Sequence, residues 1–147
     1  MTRRIPVVLL LALLAGCGSE PAPDAVYREY LNLLARGDLE SAYDLLASST
    51  RDRLAAGERA WSAGRDHPLR PKETAPKLDG PAGFTLFRRL MAGPAFDGVP
   101  PVPLQPASAV NGASVEGNTA RVTVRTEAGP VDVTLVREDG DWRIVLR

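Results

Sequence analysis

Residues 119–147 read TARVTVRTEAGPVDVTLVREDGDWRIVLR, and their period of two decides the fold class. Ala120, Val122, Val124 and Thr126 alternate with Arg121, Thr123 and Arg125. Val131, Val133 and Leu135 alternate with Asp132, Thr134 and, loosely, Val136; Trp142, Ile144 and Leu146 alternate with Arg143, Val145 and Arg147. Alternation of this kind gives a strand one dry face and one wet face. Ala128-Gly129-Pro130 and Glu138-Asp139-Gly140-Asp141 supply the residue types that reverse a chain. Three strands joined by short turns predict an antiparallel meander. Just upstream, Glu116-Gly117-Asn118 is another turn and Ser108–Val115 a weaker strand.

Moving towards the N-terminus, the period lengthens. Gly98–Pro106 has the composition of an extended connector. Phe84–Met91 is amphipathic, with Phe84, Phe87, Leu90 and Met91 on one side and Arg88 and Arg89 on the other. Residues 64–83 hold Pro68, Pro71, Pro76 and Pro81 and few apolar residues, so they predict a partly ordered loop pinned by Leu69 and Leu78. Thr50–Ser62 predicts a helix opened by Ser49-x-x-Asp52 in the manner of a capping box, with Leu54 and Trp61 on one side and Gly57 weakening it.

Two helices precede it. Asp24 is a good N-cap, with Pro23 outside it; Val26, Tyr27, Tyr30, Leu31, Leu33 and Leu34 repeat every three or four residues. Gly37 stops that helix and Asp38 opens the next, whose apolar positions are Leu39, Ala42, Tyr43, Leu45 and Leu46. Helices first and a meander last predict an α+β fold, with N-terminal helices packed on a curved antiparallel sheet.

Asp24–Leu46, with AVYREYLNLLARGDLESAYDLL after Asp24, resembles the opening of nuclear-transport-factor-2-like (SnoaL-like, cystatin-like) domains, some of which belong to small bacterial lipoproteins. The ending VTLVREDGDWRIVLR is similar to their last hairpin. The resemblance implies a cone-like roll with a pocket between helices and sheet, in which some relatives bind small molecules and some catalyse. The middle of the chain departs from the pattern: the usual first strands are missing, and residues 64–83 stand as an insertion or replacement.

The N-terminus has a different character. Arg3 and Arg4 precede an uncharged apolar run from Ile5 to Ala15. About eleven residues fall short of the roughly 20 that span a bilayer, and the layout is that of a secretory signal peptide. Leu14-Ala15-Gly16-Cys17 then resembles the lipobox of bacterial lipoproteins. The resemblance implies cleavage between Gly16 and Cys17, a diacylglyceryl thioether on Cys17, and palmitate-type acylation of the new amino terminus. The expected organisation is a signal peptide over residues 1–16, a lipidated tether over 17–23 and a single domain over 24–147. By resemblance to the lipoproteins of diderm bacteria, where an aspartate at this position favours inner-membrane retention, Gly18 implies the periplasmic face of an outer membrane if the cell has one.

Composition narrows the function. The chain has 18 basic and 18 acidic residues. Removing residues 1–16 takes away Arg3 and Arg4 and no acid, so the mature balance moves from zero to −2. No concentrated basic footprint points to nucleic acid. Cys17 is the only cysteine, which excludes a disulfide within the mature domain and thiolate zinc. His67, the only histidine, lies in Asp66-His67-Pro68 and reads either as a solvated loop residue or as a base beside Asp66. No nucleophile or phosphate-loop motif is present, no catalytic residue is assigned, and no metal or other cofactor is implied.

The candidate pocket residues are Tyr43, Glu58 and Trp61. Tyr43 and Trp61 carry polar atoms that need partners when buried, and Glu58 lies between Leu54 and Trp61 at the edge of an inward face. Arg121, Arg125 and Arg143 alternate away from the apolar face and read as solvent-side, or as anion contacts if the sheet walls an open pocket. The expected role is a membrane-anchored envelope module that binds a small ligand or a protein without catalysis. The alternatives are a small pocket enzyme using Glu58 or Asp66/His67, and a structural protein that forms a homodimer through its sheet.

Overall fold

The first helix, α1 (Pro23–Arg36), buries Val26, Tyr30, Leu31, Leu33 and Leu34, the stripe its sequence period predicts. The computed structural model describes residues 20–65, 80–92 and 105–147. The expected signal segment, Cys17, Asp66, His67, Leu69 and Leu78 lie outside the described residues. Pro23 occupies the first turn of α1 rather than standing outside it, and the extended Ala22 precedes it. A proline loses nothing there, because that N–H has no helical partner. Asp24 is therefore inside the helix and pairs with Arg28 at 2.8 Å instead of capping.

Gly37 ends α1 in the left-handed region, at φ 76°. Its N–H donates to the Leu34 carbonyl at 3.1 Å and the Asp38 N–H donates to that of Leu33 at 2.9 Å. This pair of bonds satisfies carbonyls that the helix end would otherwise orphan. Asp38 at once caps α2 (Leu39–Asp44), its Oδ1 accepting the Ser41 N–H at 3.2 Å.

Here the chain departs from its local pattern. Leu45 and Leu46 leave the helix, and Leu46 pairs in parallel with Ile144. The Ile144 N–H donates to the Leu45 carbonyl at 2.9 Å, and the Ala47 N–H to the Ile144 carbonyl at 2.8 Å. Those bonds cover a sheet edge that would otherwise expose its donors and acceptors.

Helix α3 runs over Ser48–Arg65, longer at both ends than the sequence pattern predicts. Its start is Ser48 and not the Ser49 capping box. The Glu138 carboxylate accepts the Ser48 N–H at 3.0 Å and its hydroxyl at 2.9 Å. A side chain ninety residues away thus caps the helix. Glu138→Ala should cost about 1 kcal/mol, the usual worth of a helix cap, read as a lower urea midpoint. An unchanged midpoint would mean that water caps α3 equally well.

Helix α4 (Phe84–Ala92) crosses α3. The proline-rich stretch is thereby narrower than residues 64–83: Gly64 and Arg65 are helical, and Gly80–Gly83 turn into α4. A short 3-10 turn, Ala107–Ala109, leads into the sheet.

The sheet is a four-stranded antiparallel meander of β1 (Val110–Glu116), β2 (Thr119–Thr126), β3 (Gly129–Glu138) and β4 (Asp141–Val145), in that order. Asp139 and Gly140 both have positive φ, 53° and 91°, as the tight Asp-Gly hairpin requires. Ala120, Val122, Val124, Leu135, Trp142 and Ile144 form the buried face, and α1 lies on it. The opposite face carries Arg121, Thr123, Asp132 and Arg143. The protein is thus α+β, with helices on one face of an open sheet.

Candidate functional site

Tyr43, Glu58 and Trp61 converge on one element, α4, and each fastens it differently. Tyr43 projects from α2 and is 2% exposed. Its ring meets Phe84 and Phe87 edge to face, at centroid distances of 5.5 and 5.4 Å. Its hydroxyl donates to the Ala82 carbonyl at 2.7 Å, just before α4 begins. The partner that a buried phenol needs is therefore backbone.

Glu58 projects from α3 and is also buried, at 7%. Its Oε2 accepts the Leu86 N–H at 3.2 Å, in the first turn of α4. The free N–H groups of a helix start carry partial positive charge and favour a carboxylate. Trp61, half-buried one helical turn further on, lies 4.6 Å from the Arg89 guanidinium, a cation–π distance. The three residues hold α4 against α2 and α3.

Three clefts lined by described residues lie elsewhere. One of about 370 Å³ runs between the Gly37-Asp38 joint and α4, with Leu39, Glu40, Gly80, Phe84 and Arg88 on its walls. A second, of about 330 Å³, lies where Gln105, Pro106, Ser108 and Ala109 face Arg125, Thr126 and Glu127. A third, of about 320 Å³, has the most apolar side-chain lining: Leu54, Leu90, Met91 and Leu146 meet there, with Thr50, Arg53 and Arg147 around them. Thr50, 2% exposed, accepts the Leu146 N–H at 3.1 Å through its hydroxyl, and Arg53 donates to the Leu146 carbonyl. The sequence places Leu54, Leu90 and Leu146 on inward faces. Their meeting point depends on the helix crossing, which no local signal specifies.

The wet face of the sheet is tied together as well. Arg125 donates to Asn111 Oδ1 at 3.0 Å, and Arg143 donates to the Asp44 carbonyl at 2.7 Å and to Asp141 at 3.2 Å. Thr123 donates to Asp132 at 2.8 Å. Among the described residues, no three His, Cys, Asp or Glu side chains gather to hold a metal ion, and no helix is long and apolar enough to cross a membrane.

Among the described residues, the titration that burial perturbs most is that of Tyr30. It is 2% exposed, and its hydroxyl lies 4.0 Å from the Met91 sulfur, a weak acceptor. Burial, and next the adjoining Tyr27, push its phenol well above the ordinary value of 10.0. Above pH 10 the unfolded chain loses this proton while the folded chain keeps it. The folded state then binds more protons, and stability falls as pH rises. Urea midpoints should decline from pH 10 upwards, and Tyr30→Phe should flatten that decline. An equal slope in both proteins would remove Tyr30 as its source.

Comparison of the chain with protein-family models, with curated proteins and with solved structures finds no match.

Proposed function

We propose that the protein is a lipid-anchored component of the bacterial cell envelope whose domain binds a small ligand or a partner protein near the membrane and does not transform it. The observation that carries the anchor is Leu14-Ala15-Gly16-Cys17 behind an uncharged apolar run, with α1 starting six residues later at Pro23. Two or three acyl chains anchor firmly where one binds marginally. The domain then needs no apolar surface of its own to stay on the membrane, and in a cell with an outer membrane its place is the periplasmic face of that membrane.

The binding reading is supported by how the buried polar groups are used. Glu58 caps a helix and Tyr43 bonds to backbone, so each serves packing. The cleft beside Leu54, Leu90, Met91 and Leu146 has an apolar floor with the cations of Arg53 and Arg147 near it. That chemistry suits a small amphipathic anion. The nuclear-transport-factor-2-like cone belongs to the same proposal. It is supported by the Gly37-Asp38 joint between α1 and α2 and by the Asp139-Gly140 hairpin.

The anchor is tested by Cys17→Ser. The variant should accumulate as uncleaved precursor and lose all labelling by radioactive palmitate. Persistent labelling would sink the lipoprotein reading.

A further inference from the structure

We infer that the end of the sheet carrying the β1–β2 and β3–β4 turns rests on the lipid headgroups, and that the β2–β3 turn points away from the membrane; the inference rests on the lipid anchor at Cys17 proposed above. Covalent reach sets the first limit. Glu20 is three residues from Cys17. Three residues span at most about 10 Å. An acylated Cys17 sits at headgroup level, because each buried methylene contributes about 0.8 kcal/mol. Glu20 is therefore within about 10 Å of that level.

Glu20 is also fastened to the domain at a defined place. Its carboxylate pairs with the Arg137 guanidinium, and the chain enters α1 three residues later. Arg137 identifies the end of the sheet. Its backbone N–H donates to the Asn118 carbonyl in the β1–β2 turn at 2.8 Å. Its Nε donates to the Gly140 carbonyl in the β3–β4 turn at 3.5 Å, and its guanidinium lies 5.9 Å from the Trp142 ring. Both turns and the tether thus meet around one side chain. From there β2 runs eight residues to Glu127 and Ala128 at the far turn. At about 3.3 Å per residue, the two ends stand roughly 25 Å apart. With an arm of about 10 Å and the ion pair in place, the sheet cannot stand with its far end on the bilayer and its near end roughly 25 Å above it.

Charge sets the depth. Glu116, Asp139 and Asp141 are exposed at the near end. Carboxylates are costly to strip of water, so the turns stay at headgroup level without entering the hydrocarbon. The cleft between Gln105–Ala109 and Arg125–Glu127 then opens away from the membrane, towards soluble ligands or partners.

The test uses the full lipidated protein, purified from membranes and placed in nanodiscs that contain a gadolinium-chelating headgroup lipid. Amide relaxation is read at the two ends of the sheet. Given the 25 Å separation, enhancement at Gly117, Asn118, Asp139 and Gly140 should exceed that at Glu127 and Ala128 by roughly fivefold or more. Inserting about twelve Gly/Ser residues after Gly18 adds roughly 20 Å of random-coil reach and should bring the ratio close to one. Equal enhancement at both ends of the native protein, or a ratio that survives the insertion, overturns the inference. Co-flotation with vesicles reports the anchor separately. Protein that fails to float refutes the lipid anchor, whereas protein that floats without an end-to-end gradient refutes only the orientation.

Discussion

Replacing Gly83 by alanine should destabilise the fold by about 3–5 kcal/mol, from left-handed backbone strain of about 1–3 kcal/mol together with overpacking of similar size. Gly83 has φ 88°, and a Cβ there would stand 2.6 Å from the Ala55 nitrogen and 2.9 Å from Leu54. Both neighbours are part of α3, so neither can swing aside. The residue lets the chain pass directly over the helix and start α4, whose Phe87 N–H donates back to the Gly83 carbonyl at 3.0 Å. Gly57→Ala is the matched control on the other side of the crossing. Its Cβ would meet only the end of the Leu86 side chain, at 2.9 Å, which can rotate. Its helical backbone gains about 1 kcal/mol of propensity in compensation, leaving a net change within about 1 kcal/mol. Urea unfolding followed by circular dichroism separates the two. Similar midpoints for both variants would mean that the α3–α4 crossing is looser than this geometry requires.

Phe87→Ala is expected to cost a comparable 3–5 kcal/mol, the range for emptying an aromatic position in a core that cannot collapse around the hole. Phe87 is fully buried, between Tyr43 and Phe84. It is where α4 enters the core shared by α1, α2 and the sheet. Against a total stability of about 5–15 kcal/mol for a domain, such a loss is a large fraction. Phe87→Leu, which keeps most of the volume, should cost less than about 2 kcal/mol. The contrast is informative because Tyr43 depends on the same ring. In Phe87→Ala the near-ultraviolet dichroism of the tyrosines should weaken along with the midpoint, whereas Phe87→Leu should largely preserve it. If the alanine variant unfolds at the same urea concentration as the parent, α4 is not part of the cooperative core.

Both effects concern α4, the element whose fastening explains why the candidate pocket residues read as they do. Tyr43, Glu58 and Trp61 have the marks of a site in the sequence: inward positions and polar atoms, with Glu58 and Trp61 one turn apart on α3. The same marks belong to residues that dock a helix. A buried carboxylate needs hydrogen-bond donors whether it serves chemistry or packing, and the first turn of α4 supplies one through the Leu86 N–H. What distinguishes the two roles is the identity of the partner, and that partner is 28 residues away in sequence.

What near neighbours decide is legible in the residues alone. Gly37 followed by Asp38 sets one helix end and the next helix start, because the groups involved lie within five residues of each other. Asp139-Gly140 sets a two-residue hairpin, because both positions need positive φ. The period of two in residues 119–147 sets the buried face of each strand, because adjacent side chains leave a strand on opposite sides. The proposed anchor at Cys17 likewise rests on a contiguous run of residues. Elsewhere local patterns yield to contacts made when the core closes. Leu45 and Leu46 follow a helical period, yet they cover the edge of β4, where their backbone groups find partners that a lengthened α2 would leave unsatisfied on the sheet. Ser49-x-x-Asp52 looks like a cap, but Glu138 reaches Ser48 first. Such choices are made by donors and acceptors brought together when the core closes, and their separation along the chain keeps them out of any local pattern.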